Sequence, residues 1–307
     1  MNTKNTTTCH NLILKLQQFW SQHGCIIMQP IDITVGAGTF HYHTFLKAIG
    51  PEPLNMAYLQ TSRRPTDGRY GQNPNRLQQY YQFQVVIKPA PKNIQLLYLQ
   101  SLKNINLNPI QNDIRFIEDN WENPTLGAWG IGWEIWLNGM EITQFTYFQQ
   151  IGGLNCDPVT VEITYGIERI AMNLQNVNTI YEIVWDKNKF HQITYKELFY
   201  QNEIEQSIYN FQHSNIHTLS NLFNQHLLES ERLLLLKPKL IVPAYEHILY
   251  ATHNFNLIDA KQIISNTERK QYISKIRKIS TKIAKCYYKF RKKKGFPLLY
   301  SRQNKNE

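Results

Sequence analysis

Cysteine is scarce: Cys9, Cys25, Cys156 and Cys286 are spread over 307 residues and no C-x-x-C pair occurs. That spacing argues against a zinc site or a disulfide framework and makes a reducing, cytoplasmic setting the expected one. His41 and His43 form an H-x-H, but without cysteine or carboxylate spacing nearby the pair is a weak metal signal. Long apolar runs are missing as well. No stretch of about 18 apolar residues exists, so no membrane span is expected. The opening MNTKNTTTCHN has no apolar segment, so no secretory signal is expected either. Acid is missing in one place only. Between Arg269 and Lys294 there are 12 Lys and Arg and not one Asp or Glu, whereas the rest of the chain carries 21 basic against 23 acidic residues. The net charge of +10 therefore belongs to one C-terminal segment and not to the body.

What is present reads as a folded chain, with 42% apolar residues and 12% aromatics. LILKLQQFW (12–20) has helical spacing and stops at His23-Gly24; CIIMQ (25–29) reads as a strand closed by Pro30. TVGAGTFH (34–41) is a glycine-punctuated loop whose G-x-G alone does not indicate a nucleotide. Strands are expected at 56–60 and 80–88, a helix at 94–105, and a strand at 113–119 followed by the loop NWENPTLGAWGIG. In GWEIWLNGMEITQF (132–145), Asn138-Gly139 lies between alternating runs, the strongest short signal for a hairpin. VTVEITY (159–165) then runs as a strand into the helix start GIERIAMNLQ. From about residue 195 helical spacing takes over. The expected fold class is α+β, an antiparallel sheet flanked by helices over 1–192, followed by an all-α C-terminal domain over 193–307.

Three constellations carry chemistry. An ideal two-residue turn pairs Leu137 with Met140, Trp136 with Glu141, Ile135 with Ile142 and Glu134 with Thr143. Alternation then puts Trp133, Ile135, Leu137, Met140 and Ile142 on an apolar face, and Glu134, Trp136, Glu141, Thr143 and Phe145 on the other. Glu134 and Glu141 become diagonal neighbours roughly 7 Å apart, with a mutual repulsion of about 2 kcal/mol at an effective dielectric near 20. Such a pair is either a water-screened sheet face or a site for a divalent cation shared with phosphates. The second constellation is QTSRRPTDGRYGQNPNRLQQYYQFQ (60–84), where Arg63, Arg64, Arg69 and Arg76 sit among Pro and Gly in a loop between two strands. Guanidinium forks in that position suit a triphosphate lying on the sheet. The third is EITYGIERIAM (162–172), with Gly166 at a strand-to-helix turn, Arg169 in the first helical turn and Glu162 on the strand; the alternative reading makes Glu168 and Arg169 plain helix-surface charges.

The blocks SRRPTDGRYGQNPNRLQQYYQFQVVIKP, EDNWENPTLGAWGIGWEIWLNGMEITQFTYFQQIGGL and EITYGIERIAM resemble the α subunit of the bacterial heterotetrameric glycyl-tRNA synthetase, a class II aminoacyl-tRNA synthetase. The resemblance runs from the first helix to GFP near the C-terminus. It implies the class II fold and a ligase that activates glycine with ATP, releases pyrophosphate and passes glycine to the 3′ end of tRNA(Gly). It implies Arg64 on the α-phosphate, Arg76 near the γ-phosphate, Tyr80 or Phe83 stacked on adenine, and Arg169 over the adenine and γ-phosphate. Glu134 and Glu141 match the acidic pair used for Mg²⁺, with no zinc. For glycine, Glu162 takes the position of the acid that binds the amine, and Thr39, Gln82 and Trp121 fill the pocket. The third motif here lacks its first glycine and is shorter than the usual pattern. The resemblance further implies a homodimer through the first helix and strand, a companion β subunit and an α2β2 assembly. The segment from Arg269 places Tyr272, Ile276, Ile279, Ile283, Tyr287 and Phe290 along one face of a helix whose other face is basic. That face could serve tRNA, the β subunit or solvent alone. The competing reading is a non-catalytic, synthetase-like RNA-binding or scaffold paralogue.

Overall fold

Period-two alternation builds the sheet, which packs helices on its apolar face and meets the C-terminal helices at Phe148 and Ile151. The computed structural model describes residues 7–299; residues 1–6, which open the stretch read above for a secretory signal, lie outside it, as do 300–307. The chain runs α1 (Cys9–Gln22), β1 (Ile26–Ile27), α2 (Tyr42–Lys47), β2 (Leu54–Arg63), β3 (Gln79–Lys88), α3 (Ile94–Asn104), β4 (Ile114–Asn123), β5 (Ala128–Leu137), β6 (Met140–Ile151), β7 (Leu154–Gly166) and α4 (Ile167–Gln175). A small hairpin follows, β8 (Val184–Lys187) and β9 (Gln192–Thr194), and then α5 (Tyr195–Ile208), α6 (Ile216–Leu235), α7 (Ile241–Ala260) and α8 (Asn266–Lys293). Seven strands form one sheet in the order β1-β2-β3-β7-β6-β5-β4, antiparallel except for the short β1–β2 pairing. The expected α+β class with an antiparallel sheet and a helical C-terminal part is the one observed.

One sheet face is apolar. Ala57, Phe83, Val85, Ile135, Phe145, Val161, Ile163 and Tyr165 pack there against Leu12, Leu16 and Trp20 of α1, Tyr98 and Leu102 of α3, and Ile167 and Ile170 of α4. A second core joins Phe223, Tyr245, Ile248, Ile276, Ile279 and Ile283 of the C-terminal helices to Phe40, Phe45 and Ile49 and to Phe148 and Ile151 of the sheet. The opposite face of the central strands carries polar side chains instead: Gln82 and Gln84 on β3, Glu162 and Thr164 on β7.

Two expectations need correction. The Asn138-Gly139 hairpin forms, both residues at positive φ, and pairs Leu137 with Met140 and Trp136 with Glu141. Beyond that a β-bulge between Ile135 and Trp136 shifts the register, so Ile135 faces Thr143, Glu134 faces Gln144 and Trp133 faces Phe145. The extra residue turns Thr143 and Phe145 to the apolar side: Thr143 accepts a hydrogen bond from the Tyr98 hydroxyl (2.9 Å), and the Phe145 ring meets those of Tyr98 and Trp133. Gln144 takes the place beside Glu134. The segment read as the loop 120–132 is instead strand at both ends, with its turn confined to 124–127, because pairing with β5 holds Asn120–Asn123 extended despite their low strand preference.

Candidate active site

A cleft of about 390 Å³ opens on the polar face of the sheet, a volume within the usual range for small-molecule sites. It gathers Thr39, Arg64, Arg76, Tyr80, Gln82, Trp121, Glu134, Glu141, Glu162 and Arg169, which come from five strands, two loops and one helix start. Of the residues that the resemblance assigns to ATP, glycine or Mg²⁺, Phe83 alone does not line it: it is fully buried among the apolar residues on the reverse face, its ring 6.1 Å from that of Tyr165. Alternation explains the split, since Tyr80, Gln82 and Gln84 share one face of β3 and Tyr81 and Phe83 the other.

The arginine loop divides its four guanidinium groups. Arg64 lies at the end of β2, where its backbone N–H donates to the Gln78 carbonyl (2.7 Å) and its Nε donates to the Gly36 carbonyl (3.1 Å). The guanidinium carbon sits 5.5 Å from the centre of the Tyr80 ring. Arg76 is exposed at the cleft rim with Nε 3.9 Å from an Asp67 oxygen. The other two face elsewhere. Arg63 donates from Nε to the Gln79 side chain (3.1 Å), and Arg69 donates to the Thr66 and Gly68 carbonyls (3.0 and 2.6 Å). Arg64 and Arg76, the two loop arginines that the resemblance assigns to ATP, line the cleft, and Arg63 and Arg69 do not.

Gly166 ends β7 and caps α4, which brings Arg169 back over the sheet. There its guanidinium donates to both the carboxylate and the backbone carbonyl of Glu141, each at 2.9 Å. Glu134 accepts from the Trp136 indole N–H (3.0 Å). With the bulge in β6, Phe145 no longer flanks this pair as the sequence suggested, and Trp136 does. No group of three His, Cys, Asp or Glu able to hold a metal occurs among the described residues. Two carboxylates alone still fit Mg²⁺, an ion that keeps most of its positions for water and substrate phosphates.

Deeper in the cleft, Glu162 is 2% exposed. Its Oε2 accepts from the Thr39 hydroxyl (2.7 Å), while its Oε1 is buried without a partner among the described residues. Burial pushes the carboxyl up to about 7, against a lowering contribution from the Thr39 hydrogen bond. Gln82 is fixed by its carbonyl oxygen, which accepts from the Gly38 N–H (3.0 Å) and the Ser62 hydroxyl (2.7 Å). Trp121 stands at the far side, its ring 5.5 Å from Phe148.

Several cleft residues were not singled out from the sequence. Glu168, for which the sequence offers only a helix-surface charge, is buried, accepts from the Tyr81 N–H (2.8 Å) and the Tyr195 hydroxyl (3.0 Å), and burial raises it to about 7. Gln84 accepts from the Thr164 hydroxyl (2.7 Å) and points a partnerless amide nitrogen inward. Gln144 donates to Asp119 (2.9 Å) and lines the wall. The period of β3 would have disclosed Gln84 beside Gln82; Gln144 was hidden by the bulge.

The family model for the glycyl-tRNA synthetase alpha subunit matches residues 9–292. A glycine–tRNA ligase alpha subunit of Wigglesworthia glossinidia brevipalpis is 60% identical over 291 residues, covering 95% of this chain and 96% of the relative. Among solved structures, two of a pyrrolysyl-tRNA synthetase from Desulfitobacterium hafniense superpose with TM-scores of 0.43 and 0.42 at 10% and 11% identity. They cover 59% and 61% of this chain, and 74% and 76% of theirs.

Proposed function

The chain belongs to the glycyl-tRNA synthetase alpha subunit family, and we propose from that premise that the cleft described above is where glycine and ATP are joined. The function is that of a glycine–tRNA ligase catalytic subunit, which forms glycyl-adenylate and charges tRNA(Gly); the scaffold reading is not favoured. The observation that carries the site assignment is the meeting of two arginines on one loop, a third at a helix start, paired carboxylates and one buried glutamate in a single cleft.

In this reading Arg64 grips the α-phosphate, Arg76 the γ-phosphate, and the adenine lies on Tyr80 with Arg169 above it. Glycine enters beside Glu162, whose partnerless Oε1 receives the ammonium group, with Thr39, Gln82 and Trp121 leaving no room for a larger side chain. The glycine carboxylate attacks the α-phosphorus in line and pyrophosphate leaves. No side chain acts as nucleophile, so catalysis rests on positioning and on donors aimed at the developing charge. Glu134 and Glu141 would hold Mg²⁺, which supplies charge neutralisation to the phosphates when bound. Arg169 is held by Glu141 through a salt bridge at 2.9 Å, a contact for which incoming phosphates and Mg²⁺ would compete.

The test is glycine-dependent ATP–pyrophosphate exchange by the purified chain with its companion subunit, with alanine and serine as controls. Exchange with glycine only is expected; none, from a folded complex, would remove the assignment. In the same assay Glu134→Gln is expected to raise the Mg²⁺ needed for half-maximal exchange by about tenfold, as loss of one of two carboxylate ligands implies. An unshifted Mg²⁺ requirement would place the ion elsewhere.

Assembly and tRNA contacts follow the family with less detail. We place a homodimer on the α1–β1 side: β1 is an edge strand and Ile26 on it is 67% exposed. Sedimentation of the chain as a monomer at micromolar concentration would remove that placement. No helix among the described residues is long and apolar enough to cross a membrane. Helix α8 buries Ile276, Ile279, Ile283 and Ala284 and turns its lysines outward. Only Arg269, Lys282 and Arg291 of its cations form ion pairs among the described residues, with Asp259, Glu231 and Glu52. We assign its outer face to the tRNA phosphates. Reversing Lys278, Lys285, Lys289 and Lys292 to Glu is expected to raise the KM for tRNA at least tenfold and lessen the salt slope of binding by about 3, with exchange unchanged. An unaltered slope would leave the face to the companion subunit or to solvent.

A further inference from the structure

The arginine loop does not stand alone; it is seated on helix α5, which follows it by more than a hundred residues. Glu203 of α5 is buried, 3% exposed, and spends its carboxylate on backbone donors from both limbs of the loop. Oε1 accepts from the N–H of Arg69 (3.0 Å), and Oε2 accepts from the N–H of Gln78 (2.9 Å). One turn further on, Ser207 accepts from the N–H of Tyr70 (3.1 Å) and donates to Glu203 (3.3 Å). The loop lies close enough that a side chain on Gly71, at φ +73°, would place its Cβ 2.5 Å from the Tyr200 ring of the same helix.

The peptide of Gln78 links this carboxylate to the cleft. Its N–H donates to Glu203, and its carbonyl accepts from the N–H of Arg64 at 2.7 Å. Arg76 lies two residues before Gln78 on the limb that Glu203 holds. A buried carboxylate is costly to place, because it must surrender its hydration. Spending both oxygens on main-chain donors of one connection, nine residues apart, is a device for fixing backbone and not for packing.

We propose that Glu203 is a positioning residue for adenylation: it clamps the two limbs of the arginine loop at the separation that presents Arg64 and Arg76 to the triphosphate. This rests on the reading of the cleft as the ATP site. It makes the helical half of the chain part of the ATP-binding apparatus, although no residue of α5 lines the cleft.

The experiment is ATP–pyrophosphate exchange with the chain and its companion subunit, varying ATP and glycine separately. Glu203→Gln keeps the shape but sets an amide N–H against a backbone N–H, so one limb loses its acceptor. The KM for ATP is expected to rise about tenfold while the KM for glycine stays within twofold, and Glu203→Asp, too short to span both donors, is expected to behave alike. Combined with Arg76→Ala, Glu203→Gln is expected to add little, since both act through the same loop. A KM for ATP within twofold of wild type, or effects that multiply in the double variant, would overturn the proposal. Should Glu203→Gln fail to fold, Ser207→Ala removes the Tyr70 acceptor and one donor to Glu203 and is expected to raise the KM for ATP about threefold; no change there would also overturn it. Absence of exchange in the wild type would instead strike the reading of the cleft.

Discussion

Arg64→Ala is expected to lower the kcat of glycine-dependent exchange by about 10³-fold, the order seen when a preorganised donor to a transferring phosphoryl group is removed. The structure has already arranged this side chain. Its backbone N–H is tied to Gln78 and its Nε to Gly36, and among the described residues no other side-chain hydrogen bond of Arg64 occurs, which leaves both terminal nitrogens for a ligand. Arg64→Lys keeps the charge but not the fork, and an intermediate loss of about 10²-fold is expected. The contrast within the loop sharpens the prediction. Arg69 spends its guanidinium on the carbonyls of Thr66 and Gly68, so Arg69→Ala is expected to change kcat by less than about threefold provided the loop keeps its seat on α5. Steady-state exchange with all three variants, each checked for its melting temperature, decides it. An Arg64→Ala enzyme within tenfold of wild type would mean that the phosphates lie elsewhere.

The difference among these arginines shows where sequence reading stops. That a Pro- and Gly-broken loop between strands holds guanidinium groups is legible from composition, and so is the phosphate chemistry. Which two enter the cleft depends on carbonyls of Thr66, Gly68 and Gly36 that present themselves only once the loop has folded. The hairpin behaves similarly. Alternation and Asn138-Gly139 place Glu134 and Glu141 on the cleft side, and both line it. One inserted residue then sends Phe145 and Thr143 to the core, and a bulge leaves no mark in an alternating pattern that stays apolar throughout. Phe83 is the opposite case, since its neighbours Gln82 and Gln84 already share the face that it does not.

What could not be read locally is what joins distant parts of the chain. Glu168 looks like the polar face of a short helix start. It is buried because Tyr195 donates to it from the beginning of α5 and Tyr81 from β3. Glu203 likewise sits in a helix whose sequence, YKELFYQNEIEQSI, shows only a faint apolar stripe. Both glutamates are satisfied by groups 27 to 134 residues away, and no periodicity reports such a partner. Charge misleads in the same sense at the level of composition: the basic residues gather on α8, whereas the carboxylates of the cleft lie in a near-neutral body.

Glu162→Gln is expected to raise the KM for glycine by roughly 10- to 100-fold, the loss of a charge-assisted hydrogen bond to an ammonium group, while making the unliganded protein more stable. The two effects have one cause. Burial lifts the Glu162 carboxyl from 4.5 to about 7, so the folded chain holds this proton more tightly than the unfolded chain does. Stability from that source is full below about pH 4.5 and is lost as the pH rises to about 7. Above that the protein carries an ionised buried carboxylate at a cost of about 3 kcal/mol, from roughly 1.4 kcal/mol per pKa unit. Glutamine keeps the acceptor for Thr39 and removes the charge, so at pH 8 the variant is expected to unfold at higher denaturant than wild type, with the gap closing toward pH 5. Glu168, raised to about 7 as well, remains in both proteins and largely cancels in the difference. Catalysis runs the other way. Glycine's ammonium needs the ionised carboxylate, so wild-type kcat/KM for glycine is expected to fall about tenfold per unit below pH 7, and the glutamine variant to lose that slope. If the variant bound glycine as wild type does and kept the slope, the amine would be held by another group; if it lost glycine without gaining stability at pH 8, burial would not be what tunes this carboxyl. A buried oxygen without a partner among the described residues, on a glutamate that lines the cleft, makes both gains and losses intelligible together: a site for a small cation is kept ready at the expense of the fold, and binding glycine returns that stability to the complex.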